Sequence, residues 1–97
     1  MSEYRLSNAA DLDLTDIYAN TFEKFGAIQA DSYFEALETS LIRLANNPAL
    51  GKEISDIRPG YRRFIHQRHA VYYQSFSDHI LIVRVLGPGM SFEKHLP

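Results

Sequence analysis

The sequence predicts an α+β domain, ordered β-α-α-β-β-β, with a helical hairpin packed on one face of a small antiparallel sheet. Three observations lead there. Two adjacent stretches repeat apolar residues at helical spacing, with a single glycine between them. Three segments of the second half carry β-favouring residues and are joined by turns of two or three residues. A short segment of alternating polar and apolar residues opens the chain. One sheet with helices on one face is the simplest way to bury all of these apolar faces together.

Glu3-Tyr4-Arg5-Leu6-Ser7 alternates as a half-buried strand does. Ser7 or Asn8 then suits a helix N-cap, because a short polar side chain accepts a hydrogen bond from a backbone N–H of the first turn. Ala10, Leu14, Ile17, Tyr18, Thr21 and Phe25 form the stripe of the first helix. Asp11, Asp13 and Asp16 fall in its early turns, where negative charge suits the helix dipole. Gly26 ends it. The second helix runs from about Ala27 to Ala45, with Ala30, Tyr33, Phe34, Leu37, Leu41 and Leu44 as its stripe. Asn46-Asn47-Pro48 stops it, since the residue before a proline is pushed out of the α region. So short a join makes the two helices antiparallel neighbours.

Residues 48–60, PALGKEISDIRPG, read as a loop. Strands follow at Tyr61 to His66, Ala70 to Phe76 and His79 to Leu86, linked by Gln67-Arg68-His69 and by Ser77-Asp78. HILIVRVL is apolar on both faces except at Arg84, which suits a central strand. The first strand is expected beside the last strand or at an edge. Gly87-Pro88-Gly89-Met90 cannot continue a strand.

At 97 residues the chain has room for one domain, 1–97. Its 45% hydrophobic content indicates a folded chain and not a disordered tail. With no cysteine, disulfides and thiolate metal sites are excluded. MSEYRLSNAADLDL lacks the apolar core of a signal peptide, and no window approaches the roughly 18 apolar residues of a membrane span, so a cytoplasmic protein is expected. The net charge of −2 divides unevenly, with −5 in residues 1–50 and +3 in residues 51–97. Such a division fits either two solvated faces or a positive surface for an acidic partner.

Arg58, Arg62, Arg63 and Arg68 lie close together, with Tyr61, Phe64, His66 and His69 among them. Cations interleaved with aromatics suit RNA, through phosphate contact and base stacking, or an acidic protein surface. They also suit an edge strand that resists sheet-to-sheet aggregation. In a strand, Arg62, Phe64 and His66 share one face, while Tyr61, Arg63 and Ile65 share the other. His66, His69, His79 and His95 lack the spacing of a zinc site. No phosphate-binding glycine loop and no nucleophile elbow is present, so no cofactor is expected. Leu12, Ile28 and Ile42 fall off the helical stripes, where a bound partner segment would cover them.

The order of elements and the local motifs resemble the RelE/ParE toxin superfamily, and more narrowly its ParE branch. The resemblance rests on Tyr4-Arg5-Leu6-Ser7, Asp13-Leu14 with Asp16-Ile17-Tyr18, Phe25-Gly26 and Leu44-Ala45-Asn46-Asn47-Pro48. It is most specific in Ile57-Arg58-Pro59-Gly60-Tyr61-Arg62-Arg63-Phe64, His69 with Val71-Tyr72-Tyr73, and Ile82-Val83-Arg84-Val85-Leu86 before Met90. One departure stands out. Chains of this branch commonly place a histidine and a polar residue before the methionine, where this chain has Gly87-Pro88-Gly89.

The resemblance implies a toxin held inactive by a ParD-like antitoxin, with DNA gyrase as the target and DNA met only through the antitoxin complex. Arg58, Tyr61, Arg62, Arg63, His69, Arg84 and Met90 are then the candidate target contacts, and Leu12, Ile28 and Ile42 the candidate antitoxin contacts. Two alternatives are a ribosome-dependent mRNA endonuclease of RelE type and a non-toxic relative that only binds antitoxin. The nuclease reading is weakened by a tail, SFEKHLP, without the C-terminal tyrosine of that branch, although Lys94 and His95 are available as acid and base.

Overall fold

The computed structural model describes residues 3–95. Its elements are β1 (Glu3–Leu6), α1 (Asn8–Phe25), α2 (Ala27–Asn46), β2 (Lys52–Glu53), β3 (Arg62–His66), β4 (His69–Ser75) and β5 (His79–Leu86). Single turns of 3-10 helix cover Pro48–Leu50 and Phe92–Lys94. The five strands form one sheet in the order β1-β5-β4-β3-β2.

The expected meander is present. β3, β4 and β5 run antiparallel in sequence. β1 lies both at an edge and beside the last strand, but it pairs with β5 in parallel, so the sheet is mixed and not wholly antiparallel. The reason is a matter of parity. Each successive element reverses the chain, and the stretch expected to be a loop contains β2, a two-residue strand antiparallel to β3. That extra reversal leaves β5 running in the same direction as β1.

The helical hairpin covers one face of the sheet. Its core joins Ala10, Leu14 and Ile17 of α1 to Leu37, Leu41 and Leu44 of α2, over Val71, Tyr73, Ile80, Ile82 and Val85. Phe34 is only partly buried against this core. Phe25, expected on the buried stripe, is 66% exposed, because the last turn of α1 reaches beyond the packed layer. The opposite face has its own small core of Ile54, Tyr61, Tyr72, Val83, Leu86 and Phe92. There the C-terminal turn folds back, and Phe92 stacks on Tyr72 with ring centroids 4.1 Å apart.

β1 pairs with β5 only as far as Ile82. Beyond that point β5 has no neighbouring strand on this side among the described residues, and unpaired backbone groups there would be costly. Side chains from the start of α1 replace the missing strand. The Ser7 hydroxyl donates to the Val83 carbonyl at 2.7 Å and accepts from the Ala10 N–H as N-cap. Asp13 Oδ2 accepts from the Val85 N–H at 2.9 Å. A β-bulge at Val83 lies in this same stretch, since Tyr72 pairs with Arg84 while Tyr73 pairs with Ile82.

Candidate functional site

A groove of about 700 Å³ runs between the hairpin and the end of the sheet where β3 turns into β4. One wall is α1, through Ile17, Thr21, Lys24 and Phe25. Gln29 and Tyr33 of α2 and the turn residues Gln67, Arg68 and His69 form the other. Val85, Gly87, Pro88 and Met90 close the end.

The turn is built tightly. His66 and His69 face each other as a cross-strand pair, and Gln67 between them takes a φ of 52°, in the left-handed region that two-residue hairpins require. Phe64 and His66 point toward the helices, as strand alternation demands. His66 Nδ1 lies 2.8 Å from the Ser40 hydroxyl, and His69 Nδ1 lies 2.6 Å from the Tyr33 hydroxyl. Tyr33 also packs between the two imidazoles, at centroid distances of 5.6 Å and 5.5 Å. Burial pushes the pKa of His66 down. Burial also pushes His69 down, with His66 and Arg68 adding to the effect. Burial raises the Tyr33 phenol, and a hydrogen bond from the Arg68 backbone and the Arg68 charge oppose that rise.

The candidate target contacts fall into three places. His69 and Met90 share the groove, where Met90 is 42% exposed and its sulfur accepts from the Gly87 N–H at 3.4 Å. Arg84 is committed to Asp13 through two hydrogen bonds of 2.8 Å, which raise its pKa. Arg58, Tyr61, Arg62 and Arg63 cluster at the far end of β3, about 13 Å from the turn by strand rise. Tyr61 is buried against Phe92, and the Arg58 guanidinium lies 5.9 Å from the Tyr61 ring centre. Arg62 donates to the Gly51 carbonyl at 2.7 Å and lies 3.9 Å from Glu53. Arg63 is half-buried on the sheet face away from the helices, opposite Tyr72 and Lys52.

Leu12, Ile28 and Ile42, the candidate antitoxin contacts, are all exposed. Ile28, at 88% exposure, stands at the hairpin tip with Phe22 and Phe25. Leu12 lies about 20 Å along α1 from that tip. The sequence reading missed Tyr33 and Lys24 as groove residues and Asp13 as the partner of Arg84. Asp13 had left a signal. It sits three residues after Ala10 and four before Ile17, on the apolar stripe. Arg84 is the one strong charge in an apolar strand. Two lone charges of opposite sign in apolar settings are natural partners.

Among the described residues no group of three or more His, Cys, Asp or Glu is placed to hold a metal ion. None of the helices there is long and apolar enough to cross a membrane.

The model of the ParE toxin of type II toxin–antitoxin systems, parDE, matches residues 4–92. Toxin ParE1 of Mycobacterium tuberculosis is 34% identical over 96 residues, covering 98% of each chain. Toxin ParE1 of Caulobacter vibrioides is 34% identical over 96 residues, covering 99% of each. In fold, the chain is similar to a solved chain titled as the chromosomal ParDE TA system from P. aeruginosa, with a TM-score of 0.75 at 20% identity, over 90% of this chain and 95% of that one.

Proposed function

This chain belongs to the ParE toxin family of type II toxin–antitoxin systems, and from that premise we propose that it is a toxin neutralised by a ParD-like antitoxin and acting by binding DNA gyrase, without catalysis. The observation that carries the antitoxin half is the run of exposed apolar side chains on the hairpin tip, Phe22, Phe25 and Ile28, bordering an open groove. Exposed apolar side chains gathered at one end of the hairpin suit an interaction site, and an amphipathic segment laid along the hairpin would bury them.

The target half rests on charge and on which cations are committed elsewhere. Arg62 and Arg84, which a nuclease would turn toward a scissile phosphate, are held by Gly51 and Asp13. His95 is likewise folded back, with Nδ1 2.7 Å from the Ser91 carbonyl. Arg63 and Arg68 carry no such intramolecular bond among the described residues and suit an acidic protein surface. An mRNA endonuclease is the competing reading, favoured by His69, which stands beside Arg68 in the groove.

Two assays on the purified chain separate these readings. Gyrase supercoiling should be inhibited in proportion to added chain, and ribosome-bound mRNA should stay intact. Cleavage of that mRNA, lost in His69→Ala, would overturn the proposal. Activity in neither assay would leave a relative that only binds antitoxin.

A further inference from the structure

The His66–His69 pair has a feature that the proposed function leaves unexplained. His66 Nε2 is buried and has no hydrogen-bond partner among the described residues. Buried polar atoms are usually satisfied, so an orphan calls for a reason. Both Nδ1 atoms are held by hydroxyls from α2, seven residues apart on that helix. The two rings thereby fasten the end of the β3–β4 hairpin to α2.

We propose that His66 and His69 form a proton-operated clasp, closed when both rings are neutral, opened when either takes up a proton, and setting the shape of the groove wall. Geometry makes the closed state specific to neutral rings. A protonated imidazole carries N–H donors on both nitrogens. In His66 one of these would be the buried Nε2, which has no hydrogen-bond partner among the described residues. In a protonated His69 the Nδ1–H would donate to the Tyr33 oxygen, so the Tyr33 proton could not serve that bond. That leaves the Tyr33 proton the His66 carbonyl, at a long 3.5 Å.

The charges around the pair act in the same sense. On the hairpin the neighbours are the other histidine and Arg68, and α2 presents the Tyr33 phenol. Across the groove α1 presents Lys24, Asp16 and Asp13, of which Asp13 is bound by Arg84. The loop after β5 offers Gly87, Pro88 and Met90, none of them charged. Protonation therefore adds positive charge beside Arg68, within a partly buried cluster.

The sign of the linkage follows. Both histidines have folded pKa values below the unfolded value of about 6.5, so the clasp contributes its full stability above that pH. That contribution is lost as pH falls from about 6.5 toward the folded values. His69 and Tyr33 line the groove, so an acidified surrounding presents a different wall to whatever binds there. The device belongs to the chain alone and does not depend on the identity of the occupant.

The test is a pH titration of the isolated chain by NMR. His66 and His69 are expected to titrate below about 6.5. Across the same transition the signals of Tyr33, Gln67 and Met90 should shift together. Titration of either ring at or above that value, or protonation that leaves Tyr33 and Met90 unmoved, would overturn the clasp. Tyr33→Phe keeps the ring and removes the hydroxyl. At neutral pH it should speed amide exchange at Gln67 to His69 by about tenfold, the loss of roughly one hydrogen bond. Should that variant fail to fold, Ser40→Ala tests the other half, with faster exchange at His66 as the expected result. Exchange unchanged in either folded variant would count against the proposal.

Discussion

Asp13 and Arg84, 71 residues apart in sequence, meet as a two-pronged ion pair between the first helix and the last strand. Asp13 Oδ2 accepts from Arg84 Nε and Oδ1 from Arg84 Nη2, each at 2.8 Å, while Oδ2 also receives the Val85 N–H. Arg84 reaches on to the His95 carbonyl at 2.9 Å. The two side chains are only 11% and 16% exposed. One residue pair thus fastens helix, strand edge and C-terminal tail.

Removing one partner leaves the other charge partly buried and alone. Arg84→Ala or Asp13→Ala is therefore expected to cost about 3 kcal/mol, read by urea denaturation. The double change Asp13→Leu with Arg84→Met should cost less than the two single changes added together. It will not return to the parent value, because the Val85 N–H stays unpaired. Single changes costing under about 1 kcal/mol would show the pair to be a surface contact in effect.

Gly51 is required for space and not for its backbone angle. A Cβ there would lie 2.6 Å and 2.8 Å from the Tyr73 ring, well inside contact distance. The Tyr73 hydroxyl cannot easily retreat, since it accepts from the Gly51 N–H and donates to the Pro48 carbonyl. Gly51→Ala is expected to destabilise by about 1–3 kcal/mol, the usual cost of overpacking. A melting temperature equal to the parent's would show that the ring moves freely.

The antitoxin reading predicts linkage. A partner that binds only the folded chain stabilises it by about 2.7 kcal/mol at a hundredfold excess over Kd. A ParD-like antitoxin should raise the melting temperature accordingly. Ile28→Asp is a surface change and should leave the isolated chain within about 0.5 kcal/mol of the parent. It should nevertheless reduce the antitoxin-dependent rise. No rise at saturating antitoxin would remove the basis for the pairing.

For the target, Arg63→Glu and Arg68→Glu are the informative reversals. Arg62→Glu is not, because losing its bond to the Gly51 carbonyl disturbs the fold. The two reversals together should abolish gyrase inhibition and leave the melting temperature close to the parent's. A Cβ on Gly87 would lie 3.7 Å from His69 Nε2, an ordinary contact, so Gly87→His fits the loop. If the histidine common in the family strengthens target contact, this variant will inhibit gyrase at lower concentration than the parent.

The sequence by itself determined what depends on local periodicity. The stripes of Ala10, Leu14 and Ile17 and of Leu37, Leu41 and Leu44 placed both helices and the faces they bury. HILIVRVL placed the last strand in the interior of the sheet, with bounds that the structure repeats as His79–Leu86. The short joins at Gly26, Gln67-Arg68-His69 and Ser77-Asp78 set which elements are neighbours. Each of these signals spans only a few residues and needs no knowledge of the rest of the chain.

The tertiary structure alone decided what depends on distant residues meeting. Lys52–Glu53 is too short to show any period, yet it sets the direction of β5 and with it the parallel pairing of β1. Tyr61 and Arg63 alternate as equivalent positions in the sequence, but the returning tail buries the first under Phe92 and leaves the second half-exposed. The groove, too, is assembled from four separate stretches, and His69 becomes part of it only because Tyr33 of α2 stands opposite. Burial and pairing of this kind are properties of packing between layers. A single sequence shows that Asp13 and Arg84 each need a partner, and the fold supplies the distance at which they find one another.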